Sequence, residues 1–194
     1  MTTNFISFPH PRILIVENEE GTVANLKGKL KRAIPNVSVD SAANVTEGQN
    51  KLNAAYDSLR FYTIVILDFK LPLDCTSATE IGDFSLWFLR DLCPETLVIH
   101  MTAMPDDVDF QRMRPSMETF ASSLRIYFGK DEYEWAEKLV AACAKHVEQK
   151  RIHFHSDRLR MDFDRLFGPH SGDRLSRSSG RSDTPRGDQS LSLE

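Results

Sequence analysis

The sequence predicts an α/β domain built on a doubly wound, five-stranded parallel sheet, and three observations predict it. Short, nearly continuous apolar runs recur at Arg12–Val16, Tyr62–Leu67, Thr96–Met101 and Leu124–Phe128, as expected for strands buried on both faces. Segments whose apolar residues fall at helical spacing separate them. The β-α alternation repeats five times within residues 11–147, the pattern of a parallel sheet covered by helices on both sides.

Each element has a local reason. Arg12–Val16 is a buried strand that ends abruptly in the polar run Glu17-Asn18-Glu19-Glu20. Residues 20–34 place Val23, Leu26, Leu30 and Ile34 on one helical face, with basic residues at 27, 29, 31 and 32 between them, until Pro35 forbids continuation. Val37 and Val39 alternate with Ser38 and Asp40 as in a half-buried strand, and Thr46–Tyr56 forms a helix with Leu52 and Ala55 inward. Tyr62–Leu67, rich in β-branched residues, closes at Asp68. Residues 73–81 read as a polar loop. Asp83–Cys93 then carries Phe84, Trp87, Phe88 and Leu92 as a helical face stopped by Pro94. The strand Thr96–Met101 leads to Thr102-Ala103. A helix over Asp106–Ser122 is expected to break or kink at Pro115. Leu124–Phe128 is the last strand. Asp131–Val147 is a helix with Trp135, Leu139, Ala142, Cys143 and His146 on one side.

Composition bounds the function. The chain has 194 residues, 41% hydrophobic and 27% charged, with a net charge of -4, enough apolar material for one ordinary core. The charge supplies no positive field for non-specific nucleic-acid binding. Cys75, Cys93 and Cys143 have no paired spacing, so neither a disulfide framework nor a thiolate zinc site is indicated. The N-terminus lacks a basic start followed by an apolar stretch, and no apolar run has membrane length. The expectation is a soluble, cytoplasmic protein with reduced thiols and neither a nucleic-acid nor a membrane partner.

In parallel sheets of this kind, chemistry gathers at the carboxyl ends of the strands. Those ends carry Glu17 and Asn18, then Asp68, then Thr102, then Lys130. An aspartate at such a mouth, beside a second acid able to share a divalent cation, can attack a phosphoryl group and carry it as an acyl phosphate. Thr102 would offer a hydroxyl to one phosphoryl oxygen and Lys130 a point charge to another. His100, inside an apolar strand, reads as a hydrogen-bonded core residue, since no second His or Cys stands at metal spacing from it.

These residues resemble the receiver domain of two-component response regulators, a flavodoxin-like (β/α)5 fold of the CheY-like superfamily. The marks are Val16-Glu17-Asn18-Glu19, Leu67-Asp68-Phe69-Lys70-Leu71-Pro72, Met101-Thr102-Ala103 and Tyr127-Phe128-Gly129-Lys130, at four strand ends. The resemblance covers residues 11–147. It implies that Asp68 accepts phosphate from a histidine kinase or phosphotransfer protein. It further implies that Glu17, Asn18, Asp68 and the Lys70 carbonyl hold Mg2+ or Mn2+, and that Thr102 and Lys130 contact the phosphoryl group. Tyr127 stands where the family has an aromatic residue that turns inward on activation, though it could equally be an ordinary core tyrosine. Signalling would then run by protein contact through a surface around the helix after Asp106 and the strand ending at Phe128.

Three positions depart from the family pattern. Asn18 replaces an acid, which lowers the expected cation affinity because a hard ion gains from ligand charge. Asp131 replaces a proline, so a cis bond after Lys130 is not expected. The loop 73–81 is long. These departures motivate an alternative reading, a degenerate receiver acting as a phosphorylation-independent interaction module. A third reading, a phosphohydrolase of the haloacid dehalogenase type, lacks the second aspartate two residues after the first, since position 70 is Lys. The chain is therefore read as non-enzymatic.

The remaining segments flank the receiver: an N-terminal extension at 1–10, a helical extension at 148–167 and an Arg/Ser-rich tail at 168–194 expected to be disordered. Within the extension Leu159, Phe163 and Leu166 fall at helical intervals behind a capping Ser156. That stretch could continue the last helix, pair two chains as a homodimer or bind a downstream protein partner. Residues 1–150 carry 16 basic and 21 acidic side chains, a net of -5, and residues 151–194 carry 8 Arg and 7 acids, a net of +1. The length left after the receiver is short for an independent output domain.

Overall fold

A computed structural model describes residues 8–77, 80–82, 96–112, 125–130 and 134–167. Five strands form one sheet in the order β2-β1-β3-β6-β7: β1 (Arg12–Val16), β2 (Ser38–Ala42), β3 (Ile64–Asp68), β6 (Leu97–Thr102) and β7 (Arg125–Gly129). Every pairing in it is parallel, so all five carboxyl ends lie along one edge.

Side-chain alternation along these strands divides the core in two. On one face Ile13, Ile15, Ile64, Ile66, Leu97, Ile99 and Met101 pack with Leu26 and Leu30 of α1 (Glu20–Ala33) and with Leu139 and Cys143 of α3 (Trp135–Phe167). On the other, Leu14, Val16, Val65, Leu67 and Val98 pack with Val45, Leu52 and Ala55 of α2 (Val45–Asp57). The strands read as continuous apolar runs because both of their faces are covered. Helix α1 ends where expected, before Pro35, with Asn36 in the left-handed region at φ 58°. Cys75 and Cys143 are free, and burial pushes the Cys143 thiol up to about 12. Among the described residues no helix is long and apolar enough to cross a membrane.

The structure corrects two boundaries. Residues 73–81 are not loop throughout: β4 (Lys70–Pro72) and β5 (Glu80–Gly82) pair antiparallel, with Lys70 opposite Gly82 and Pro72 opposite Glu80. The strands are only three residues long and lack an alternating pattern, which is why the sequence conceals them. The helical extension expected over 148–167 continues the last helix, one of the readings open for that stretch, and the helix runs to Phe167 because no proline or glycine interrupts it before Gly168. It begins at Trp135, after Glu134 at φ 58°, rather than at Asp131. The helix expected over 106–122 is described only in its first turn, from Val108 to Arg112. Pro115, Asp131, the expected helix Asp83–Cys93 and the tail 168–194 lie outside the described residues.

By its packing the chain divides into two units, Met1–Phe154 and His155–Glu194. The first contains the sheet and both core clusters, and Phe8 meets Phe154 edge-to-face at 5.6 Å. The described part of the second is helix, with Leu159 and Met161 exposed.

Candidate functional site

Parallel pairing aligns the strand ends, and three charged side chains converge there. Glu17 follows β1, its backbone N–H donating to the Ala42 carbonyl at 2.9 Å. Asp68 is the last residue of β3, and Lys130 follows β7. The Lys130 ammonium lies 2.5 Å from Glu17 Oε2 and 3.0 Å from Asp68 Oδ1. All three are largely withdrawn from water, with side-chain exposures of 1% for Glu17, 11% for Lys130 and 12% for Asp68.

Two buried carboxylates sharing one ammonium leave a net negative charge, and Asp68 responds. Burial, with Glu17 adding repulsion, pushes the Asp68 carboxyl up to about 6, against the pull of Lys130. Burial works against the Lys130 ammonium too, but Asp68 and Glu17 outweigh it and hold its pKa above the ordinary lysine range. Glu17 is engaged at both oxygens: Oε2 takes the ammonium, and Oε1 accepts the Glu19 backbone N–H at 3.0 Å.

Thr102 closes β6 beside this cluster. It is 4% exposed, and its Oγ1 accepts the Met104 N–H at 3.0 Å, while its carbonyl accepts the Lys130 N–H at 2.7 Å. The strand ends bearing Thr102 and Lys130 are thus joined through the backbone. Asn18 is exposed, one residue beyond the buried Glu17. The backbone of Tyr127 lies in β7 opposite His100, and its side chain lies outside the described residues. His100 is buried in β6 at 3% exposure.

Sequence reasoning missed the contacts that hold the surrounding loops. The Lys70 ammonium pairs with Asp107 at 2.5 Å, and Phe69 packs edge-to-face on Phe110 at 5.0 Å. Asp107 Oδ1 also accepts the N–H groups of Asp109 and Phe110, which starts the helical turn there. The segment after Asp68 is thereby tied to the segment after Thr102. On its other side, Thr46 at the start of α2 donates both its N–H and its hydroxyl to the Leu73 carbonyl. The turn at Asp107 had a visible signal, an Asp three residues before an apolar residue; the pairing with Lys70, 37 positions away, had none.

For a divalent cation the expected donors are Glu17, Asn18, Asp68 and the Lys70 carbonyl. Both Glu17 oxygens already accept a hydrogen bond, the Asn18 amide is neutral and exposed, and Lys130 already spans the two acids. Among the described residues no group of three His, Cys, Asp or Glu side chains could hold a metal. The residues present do not fit a tightly held hard cation, which needs several oxygens and ligand charge.

No protein-family model and no curated protein matches this sequence. Solved structures do. The signal receiver domain of an HD domain-containing protein from Pseudomonas fluorescens Pf-5 superposes with a TM-score of 0.53 at 20% identity, over 73% of this chain and 97% of that one. A CheY-like response regulator receiver domain protein from Methanospirillum hungatei JF-1 gives 0.52 at 19% identity, over 74% and 98%. A response regulator receiver domain protein from Clostridium thermocellum gives 0.51 at 23%, over 73% and 98%. Likeness at this level establishes the fold, and the portion of the chain it covers is the length of a whole receiver domain.

Proposed function

We propose that this chain, whose fold is that of receiver domains, is a signalling module in which Asp68 is the phosphoacceptor and output runs through contact with another protein. The observation that carries this reading is the convergence of Asp68, Lys130 and Thr102 at adjoining strand ends. An Asp68 carboxylate oxygen would attack the phosphorus of a histidine kinase or phosphotransfer protein, and the bond to the donor imidazole would break with its electron pair leaving on the donor. Lys130, already 3.0 Å from the carboxylate, steadies the charge that accumulates. Thr102 can turn its hydroxyl to a phosphoryl oxygen. Forming the acyl phosphate consumes the carboxylate charge of Asp68 and places nearly two negative charges on the phosphoryl oxygens, a net gain of about one beside the buried Glu17 carboxylate, so the shared ammonium must redistribute. Because the Lys130 N–H is bonded to the Thr102 carbonyl, that redistribution acts on two strand ends together.

The test uses a small phosphodonor on the wild-type chain and on Asp68→Asn. We expect acid-stable, base-labile phosphate on the wild type alone; equal labelling of both proteins, or of neither, would refute the assignment. We read the module as non-enzymatic, because Lys70 stands where an aspartate-nucleophile phosphohydrolase needs its acid-base aspartate, and its ammonium pairs with Asp107.

A second reading, a receiver that binds partners without being phosphorylated, is favoured by the full engagement of Glu17 and the exposure of Asn18. It requires partner affinity to be the same for wild type and Asp68→Asn. A loss of binding in the variant would exclude it.

A further inference from the structure

We infer that Lys130 is the resident counter-cation of this pocket, standing where a divalent ion would otherwise neutralise Glu17 and Asp68, so that cation loading is not a step in this chain's working cycle. The inference rests on the receiver reading only for its consequence; its basis is geometry. The ammonium is within hydrogen-bond distance of both carboxylates at once, at 2.5 and 3.0 Å, in a setting that leaves Glu17 1% and Lys130 11% exposed.

Three features make the arrangement hard to displace. The backbone N–H of Lys130 is held by the Thr102 carbonyl at 2.7 Å, which fixes where its side chain starts. The second oxygen of Glu17 is occupied by the Glu19 N–H, so that carboxylate cannot turn to a metal without giving up a second bond. A cation entering between the acids would have to push aside a charge-assisted hydrogen bond in a largely buried site and leave an ammonium facing a like charge. Asn18 contributes to the balance from the other direction. An acid there would set three carboxylates against one ammonium; the amide limits the excess to the single carboxylate charge of Glu17 and Asp68 against Lys130. The residue types thus agree with each other: one fewer acid and one lysine clamped on the two that remain.

The clamp is tested by the thermal stability of the full chain in about 10 mM MgCl2, enough to fill even weak natural oxygen sites, against NaCl of equal ionic strength. The wild type is expected to show the same midpoint in both salts. Asn18→Asp should gain a Mg2+-specific rise of several degrees. Lys130→Met, which vacates the position between the acids, should be less stable in NaCl and recover in MgCl2. A Mg2+-specific rise in the wild type would overturn the inference, and so would the absence of any response in Asn18→Asp; the latter variant decides the matter if Lys130→Met does not fold. Labelling by a phosphodonor with and without chelator is scored separately. Labelling that requires Mg2+ would overturn the clamp and leave the phosphoacceptor assignment standing. An unlabelled wild type whose stability ignores Mg2+ would retain the clamp and sink the assignment.

Discussion

At the scale of residues, the pocket is a site held against its own folding energy. Asp68 has its carboxyl raised from 3.8 to about 6, first by burial and then by Glu17. A raised acid stabilises the fold in its protonated form: that contribution is complete below the unfolded pKa near 4 and is lost as pH rises through about 6. Above that pH the ionised Asp68 is a cost, with a ceiling of about 3 kcal/mol from the size of the shift. Asn at this position keeps the shape and an oxygen for Lys130 but removes the repulsion with Glu17. We therefore expect Asp68→Asn to unfold at higher denaturant than wild type at pH 7.5, by about 1–2 kcal/mol once the weakened bond to Lys130 is deducted. The gain should vanish toward pH 4. A variant less stable than wild type at pH 7.5 would mean that the Lys130 attraction outweighs burial. Of this pocket the sequence made Glu17, Asp68, Thr102 and Lys130 legible, because each is a polar residue terminating an apolar run. What it could not convey is that one ammonium serves two acids, since that depends on how far β7 is shifted against β6.

At the scale of elements, the buried strands and α1 were legible because their apolar pattern is imposed by the sheet they cover or form. The segments packed on their surroundings by polar contacts were not. The β4–β5 hairpin has three-residue strands, one of them ending in proline, and is attached through Thr46 to Leu73 and Lys70 to Asp107, pairs distant in sequence. The start of α2 carries a capping pattern in its sequence, Asn44 followed by Glu47. Asn44, 4% exposed, accepts the Glu47 N–H at 2.8 Å, and the Glu47 carboxylate reaches back to the Ala43 N–H at 3.0 Å. Asn44→Ala is expected to cost about 1 kcal/mol in equilibrium unfolding. Asn44→Ser should restore most of it; a serine as costly as alanine would show that the side chain acts through packing instead of capping. The helix α2 holds the hairpin through Thr46, two residues into the capped turn, so a frayed cap also loosens the segment that follows Asp68.

At the scale of the whole molecule, the last helix poses the question of where the folded unit ends. Up to Val147 it buries Ala136, Leu139, Val140, Cys143 and Val147 in the core, and beyond that Ile152, Leu159 and Met161 are exposed. The change in pattern reads as a boundary near 148 although the backbone continues to Phe167 without a breaker. Packing places the division later, after Phe154, whose ring meets Phe8. Phe8 in turn packs against the core cluster that contains Leu139, Cys143 and Val147, so this residue links Phe154 to the core. A chain ending at Phe154 should therefore keep its thermal midpoint within about 2 °C of the full protein, because no core residue is removed. A chain ending at Val147 loses the Phe154 ring as well, worth about 1 kcal/mol as an aromatic pair. Its midpoint should fall by a further 2–4 °C or so for a domain of this size. Phe8→Ala in the full chain should reproduce most of that fall, and combining it with the shorter truncation should add little, since both remove one contact. Additive losses would show instead that residues 148–154 stabilise the domain by helix length alone, independently of the ring they bring to Phe8.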